Sequence, residues 1–291
     1  MNLKIIECIG NKNKIIVIIG VIVMFYNAKN DVLEYENTIV DYISFGEGNE
    51  DLVFIPGLGE GLNSISGYAV PFSLMYKVYA KDYRVHVFSR RKEMPENFST
   101  EDMANDIIKH MNELNIEKAN IVGVSQGGMI AEYIAINAPE KVDKLVLVVT
   151  VARKNETLEN CVKNWIELAK VEDYKAIMID TAEKSYTGEY LEKNRKLYNV
   201  LGMLGKNATF DRFMIEANAC LTHNAYDKLD KITSPTFIIG ARKDLALGIE
   251  GSEELASKIK NSELYIYDEY SHGVYEQAKD FHKRVIEYLK K

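Results

Sequence analysis

Residues 119–136 constrain this chain more than any other stretch. Ala119 to Val124 is apolar and β-branched apart from Asn120 and Gly123, which suits a strand covered on both faces. From Gly128 to Ile136, the residues Met129, Ile130, Tyr133 and Ile134 recur at helical spacing, and Pro139 stops the run. The join has room for a very short turn, and Ser125 stands on it, inside Gly123-Val124-Ser125-Gln126-Gly127. A serine on so sharp a turn points its hydroxyl out of the sheet top, where a histidine and a substrate can reach it. The backbone there is strained and its neighbours must be small, hence a glycine two residues to either side. The helix start also presents free N–H groups, and that of Gln126 is placed to donate to a carbonyl oxygen as it becomes negative. The competing reading is a glycine-rich turn whose serine caps the helix. The strand before it and the helix after it favour the nucleophile.

On this strand–serine–helix unit the chain resembles the α/β-hydrolase superfamily, in its branch with a helical cap, over about residues 32–291. The likeness is closest to small-molecule esterases, lactonases and carbon–carbon bond hydrolases. It implies an α/β fold, a mostly parallel central sheet flanked by helices with an inserted helical cap. It also implies a second oxyanion donor in the loop after the third strand. Here Asp51 to Ile55 is a short buried strand, running into Pro56-Gly57-Leu58-Gly59-Glu60-Gly61. By resemblance Leu58 supplies that N–H, and Gly57 and its fellow glycines let backbone approach the substrate. Pro56 replaces the histidine often found there. Read as a phosphate loop, the same glycines complete neither a dinucleotide nor a Walker pattern. Another departure follows the strand Tyr83 to Ser89. Where the family commonly has Asp-x-Arg-Gly-x-Gly, this chain has Ser89-Arg90-Arg91-Lys92-Glu93. Arg90 and Arg91 read as a solvated basic turn, the commoner fate of charged side chains, or as partners of an anionic substrate.

Other segments fill in the order. Val32 to Gly46 reads as an opening antiparallel pair. Ser99 with Asp102 makes a capping box ahead of an amphipathic helix through Met103, Ile107, Met111 and Leu114. Lys144 to Thr150 and Pro235 to Gly240 are buried strands. The chain between them is far longer than one helix with its usual 2–6-residue loops. Three apolar stripes fill it: Leu158, Cys161, Val162, Trp165 and Leu168; Tyr190, Asn194, Leu197, Tyr198 and Leu201; Phe210, Phe213, Met214, Ala217 and Leu221. Residues 151–231 are therefore expected to form a helical cap over Ser125, with 32–150 and 232–291 as the core. A cap needs a second apolar face toward substrate, and Trp165, Phe213 and Met214 are its candidate lining residues. Leu264 to Tyr267 is the last strand, and Ala278, Phe281, Val285 and Leu289 mark the last helix.

The acid and the base come from the order of the chain. A serine hydroxyl needs a neutral histidine to take its proton, and the histidine needs a carboxylate to fix its tautomer. Of five histidines, His86 lies in a strand, His110 on a helix, His223 at the end of the inserted region and His282 inside the last helix. His272 alone occupies a strand-to-helix loop, between Ser271 and Gly273. Asp244 directly follows an apolar strand, Asp227 and Asp230 lie in polar surroundings, and Asp268 is too near His272 in sequence. Ser125, Asp244 and His272 are assigned as nucleophile, orienting acid and base, in the order nucleophile, acid, histidine. The same positions match the family's motifs.

Composition sets the remaining bounds. Of 291 residues 47% are hydrophobic and 27% charged, enough for a large core and against bulk disorder. With a net charge of −7 and no basic block beyond Arg90-Arg91-Lys92, nucleic-acid binding lacks its footprint. The N-terminus departs from the rest. Ile15 to Tyr26 is an unbroken apolar run preceded by Lys4, Lys12 and Lys14. It is short for a spanning helix, which needs about 20 residues, and suits a signal core, though no clean cleavage site follows. Residues 1–28 are expected to be a signal or membrane anchor, with membrane association through residues 15–26; a cytoplasmic enzyme with an N-terminal extension is the alternative. Export would allow Cys161 and Cys220 to pair, but two free, buried cysteines are the expectation. The oligomeric state is left open.

Together these readings imply hydrolysis of a small-molecule ester, thioester or lactone through an acyl-enzyme on Ser125, with no cofactor and no metal. Carbon–carbon bond hydrolysis, perhydrolysis and acyl transfer share such a triad. A ligand-binding receptor on the same fold is the alternative from another class.

Overall fold

The computed structural model describes residues 25–35, 38–201 and 209–291. The expectations for residues 1–24, which include most of the apolar run, lie outside the described residues. Among the described residues no helix is long and apolar enough to cross a membrane. Tyr26 accepts a hydrogen bond from Gly46 N at 2.7 Å, and both Tyr26 and Ala28 pack against the core.

Among the described residues eight strands form one sheet: β1 (Lys29–Tyr35), β2 (Thr38–Phe45), β3 (Glu50–Ile55), β4 (Tyr83–Phe88), β5 (Ala119–Val124), β6 (Val142–Val148), β7 (Thr236–Ala241) and β8 (Ser262–Tyr267). Their spatial order is β1-β2-β4-β3-β5-β6-β7-β8. β1 and β2 pair antiparallel, as do β2 and β4, and every pairing from β4 to β8 is parallel. The order reverses beside β3: the chain leaves it toward β4, then crosses back to β5 on its other side. The segments leaving the carboxyl ends of β3 and β5 therefore part, and a crevice opens there. That crevice is where the Pro56–Gly61 loop meets Ser125.

The period-2 pattern of the strands divides the core. Val53, Ile55, Ile121, Leu145, Leu147 and Ile238 face one layer. It holds α2 (Thr100–Glu113), α3 (Gln126–Asn137) and α8 (Glu250–Lys258). Their neighbours Leu52, Phe54, Val122, Val146, Val148 and Ile239 face the other, with α1 (Ala69–Met75) and α10 (Phe281–Leu289). Each such side chain, fully buried, contributes roughly 1.5–3 kcal/mol. The capping box of α2 forms: Asp102 N donates to Ser99 Oγ at 3.1 Å, and Ser99 N donates to Asp102 Oδ2 at 2.9 Å.

The insertion between β6 and β7 contains α4 (Glu156–Lys170), α5 (Tyr174–Ser185), α6 (Gly188–Leu201) and α7 (Phe210–Thr222). The apolar stripes account for α4, α6 and α7. The sequence reading has no counterpart to α5, because its buried positions Ile177, Ala182 and Ser185 make no continuous stripe. Leu158, Val162, Trp165 and Phe213 build a third apolar cluster with Leu58, Leu62 and Met129 of the core. The chain from 274 onward holds a short α9 (Val274–Gln277) ahead of α10.

His86 has a structural use. Asp51 accepts from Arg84 Nε and Nη2 at 2.9 and 2.8 Å and contacts His86 Nε2 at 2.9 Å. Burial alone raises this carboxyl, but the His86 and Arg84 bonds outweigh it and hold Asp51 at about 2, below its ordinary 3.8. A depressed carboxylate stabilises the fold above its unfolded value, and that contribution is lost as pH falls from 3.8 through 2. Asp51→Asn should therefore flatten the acid limb of stability in this window, measured by urea unfolding at stepped pH. An unchanged acid limb would show that Asp51 does not contribute to it.

Candidate active site

Ser125 joins β5 to α3 with φ +56° and ψ −122°, a conformation that side-chain-bearing residues rarely adopt. Neighbouring bonds hold it there. Ser125 N donates to Val148 O at 2.9 Å, and its carbonyl accepts from Gly128 N and Thr150 Oγ1, both at 2.8 Å. The flanking glycines leave no space. A Cβ on Gly123 would lie 2.4 Å from Gly127 O, and one on Gly127 would lie 2.0 Å from Ile55 O.

His272 stands in the loop between β8 and α9. Its Nε2 lies 2.9 Å from Ser125 Oγ and its Nδ1 2.9 Å from Asp244 Oδ2. Asp244 follows β7, and its other oxygen, Oδ1, accepts from Ala246 N and Leu247 N at 2.8 and 2.9 Å. With Asp244 accepting, Nδ1 carries the proton and Nε2 is left to accept from the serine. The loop is pinned from two sides: Ser271 Oγ donates to Lys184 O at 2.5 Å, and Gly273 N to Ser185 O at 2.7 Å. The end of α5 thus fixes the histidine loop.

Leu58 opens a 3₁₀ turn (Leu58–Gly61), and Gln126 is the first residue of α3. First-turn N–H groups have no partner within their own helix. Among the described residues neither N–H has a protein acceptor. Gly57 brings the two together, since a Cβ there would sit 3.3 Å from Ser125 Cβ.

A cavity of about 340 Å³ opens above Ser125 and His272. Of the candidate lining residues, Gly57, Trp165 and Phe213 border this cavity, and Met214 does not. One residue along a helix turns the side chain by about 100°, and Met214 packs into the third cluster instead. The sequence reading missed Tyr76, beside the short α1, Met178 on α5, and Tyr275 and Glu276 just after His272. Proximity to His272 was the one available signal, because a helix starting two residues after the histidine presents its first turn to the same opening. Trp165 Nε1 donates to Asp180 Oδ2 at 2.6 Å. No Lys or Arg lines the cavity among the described residues. Glu276 does, bonded to Tyr186 Oη; burial lifts it above the usual carboxylate range, and the Tyr186 bond only partly offsets this.

The two arginines answer to neither expectation. Arg91 pairs with Asp106 of α2. Arg90 is 4% exposed and lies beneath the site, among Glu60, Arg212 and Glu216. Burial pushes Glu216 up to about 8, reinforced by Glu60 and opposed by the two arginines. Cys161 and Cys220 are both free and buried, and burial raises each thiol to about 12. Neither is poised as a nucleophile.

Residues 52–174 match the family model described as alpha/beta hydrolase fold. A putative carbamate hydrolase, RutD, of Caulobacter segnis is 23% identical over 249 residues, 83% of this chain and 92% of that protein. 3-Oxoadipate enol-lactonase 2 of Acinetobacter baylyi is 21% identical over 265 residues, 90% of this chain and 97% of that one. The crystal structure of MGS-M2, an alpha/beta hydrolase enzyme from a Medee basin deep-sea metagenome library, superposes with a TM-score of 0.77 at 21% identity. It covers 90% of this chain and 98% of its own.

Proposed function

We propose that this chain, similar to enzymes of the alpha/beta hydrolase fold, is a serine hydrolase that cleaves a small, uncharged carboxylic ester, thioester or lactone through an acyl-enzyme on Ser125. The observation that carries this reading is the unbroken chain Asp244–His272–Ser125, with 2.9 Å at each link, at the foot of an apolar cavity. Ser125 Oγ attacks the carbonyl carbon as His272 Nε2 takes its proton. The oxygen of the tetrahedral intermediate accepts from Leu58 N and Gln126 N. His272 returns the proton to the leaving alkoxide or thiolate, and a water, activated by the same imidazole, releases the acid. Asp244 orients the ring and stabilises its cation. The insertion 151–231 acts as the cap that shapes the substrate cavity, through Trp165, Phe213 and α5. A carbamate, the class named for the Caulobacter segnis relative, offers the same carbonyl to this machinery.

The charge of the cavity selects the acyl group. A carboxylate on the substrate would meet Glu276 and no cation among the described lining residues. An unpaired buried charge costs well over ~1.4 kcal/mol, or a factor of about ten. The purified protein should hydrolyse p-nitrophenyl hexanoate at least about tenfold faster, by kcat/KM, than the p-nitrophenyl monoester of adipic acid, which adds one carboxylate to the same chain length. Glu276→Gln should narrow the ratio. Equal rates on the two esters would remove the argument for an uncharged substrate, and absence of any ester turnover would remove the hydrolase reading itself.

A further inference from the structure

Four ionisable side chains, Glu60, Arg90, Arg212 and Glu216, meet in the interior beside Ser125, with 1%, 2%, 7% and 0% of their side-chain surfaces accessible. Taking an ionised group out of water costs several kcal/mol, and apolar replacements of such clusters are often no less stable. Stability alone does not call for them here, and the geometry gives another use. Arg90 Nη2 donates to Pro56 O at 2.6 Å and to Gln126 Oε1 at 3.0 Å. Pro56 opens the loop that carries Leu58 N, and Gln126 carries the other proposed oxyanion donor. One nitrogen therefore ties together both halves of that hole. The far end of Gln126 is held too, its Nε2 donating to Glu216 O at 2.7 Å and to Cys220 Sγ at 3.2 Å on α7. Glu60 closes the circuit by accepting from Arg90 N at 3.3 Å and from Arg212 of α7. Gly61 packs so tightly under α7 that a Cβ would lie 3.1 Å from the Glu216 carboxyl.

Resting on the serine-hydrolase reading above, we infer that Arg90 is a positioning residue: it sets the spacing of the Leu58 and Gln126 N–H groups and, through Gln126 and Glu60, locks that spacing to helix α7 of the insertion. An oxyanion hole works only when its donors lie 2.7–3.1 Å from the transition-state oxygen, and a misplacement on the order of 1 Å costs about 10² in rate. The tie acts on the transition state and leaves ground-state binding in the cavity alone.

The test compares Arg90→Met, Arg90→Lys and Gln126→Leu with wild type on p-nitrophenyl hexanoate, per active site titrated with an organophosphonate. An alkylboronic acid serves as a tetrahedral mimic. Arg90→Met should lower kcat by about 10²-fold with KM changed less than about threefold, and weaken boronate binding by a similar factor. Arg90→Lys keeps one donor and should recover part of the loss. Gln126→Leu, which leaves the Arg90–Pro56 bond intact, should lose about tenfold in kcat. The inference is overturned if kcat per titrated site is unchanged while only melting temperature and active fraction fall, as a merely structural cluster would give. If Arg90→Met does not fold, Gln126→Leu decides on the same readouts. A wild type that neither reacts with phosphonate nor binds boronate overturns the hydrolase reading and this inference with it. A competent wild type matched by its variants overturns this inference alone.

Discussion

Ser125→Ala should remove labelling by an organophosphonate and reduce ester turnover by about 10⁶-fold, the scale seen when comparable serine nucleophiles are lost. His272→Ala should be about as damaging, because without Nε2 nothing takes the proton from Oγ. Asp244→Asn is the more informative change. Asp244 Oδ1 accepts from two backbone N–H groups, so the amide oxygen of asparagine must take that place. The amide NH₂ then faces His272 Nδ1, which has to accept, and the proton moves to Nε2. A protonated Nε2 cannot receive the serine proton, and related triads lose about 10⁴ this way with the fold intact. The three losses should not add, since each removes the same proton path. Stopped assays on single and double variants decide the matter. Wild-type turnover in Ser125→Ala, or additive losses in the doubles, would break the assignment.

Gly127→Ala should cost at least about 3 kcal/mol, the upper range for an overpacked site. The new Cβ would meet Ile55 O at 2.0 Å and Ile55 C and Pro56 O at 2.7 Å, all of them backbone. Main chain at the end of a central strand cannot swing aside as a side chain does. Either α3 is pushed off the sheet or the Pro56–Gly61 loop shifts, and activity falls with stability in both cases. A melting temperature lower by roughly 6 °C or more is expected. Gly59→Ala is the matched control from the neighbouring loop, where an added Cβ has nothing within 4 Å, and its melting temperature should stay near wild type. A Gly127→Ala protein that melts and turns over like wild type would mean that the elbow is looser than its geometry implies.

The two outcomes differ in how readable they are from the chain. Gly123, Ser125 and Gly127 announce the turn because its stereochemistry is contained in five consecutive residues. The alternation Val53, Phe54, Ile55 and Ile121, Val122 likewise separates the two sheet faces without any knowledge of their partners. His272 and Asp244 were legible by their place at strand ends and their order. The distances that join His272 to Ser125 and to Asp244, across 147 and 28 positions, come from the parallel order β5-β6-β7-β8, which sets the carboxyl ends of these strands at one edge of the sheet.

Other features had no local signature. Helix α5 carries no continuous apolar stripe, because part of its surface lines a cavity and part bears the histidine loop. Phe213 and Met214 read alike in the stripe, and only the seating of α7 decides which of them sees the cavity. Arg90 is the clearest case. In sequence it is one cation of a basic turn, and charge at a turn ordinarily faces water. It lies buried instead because Pro56 O, Gln126 Oε1, Glu60 and Glu216, from three separate segments, converge on it. The sequence by itself determined the elbow, the alternating strands and the order of the three polar residues, since each depends on neighbours in the chain. Only the tertiary structure decided where the charges lie and which apolar residues face the cavity, since a buried guanidinium is tolerable only where distant acceptors are assembled around it, and no short-range pattern encodes that assembly.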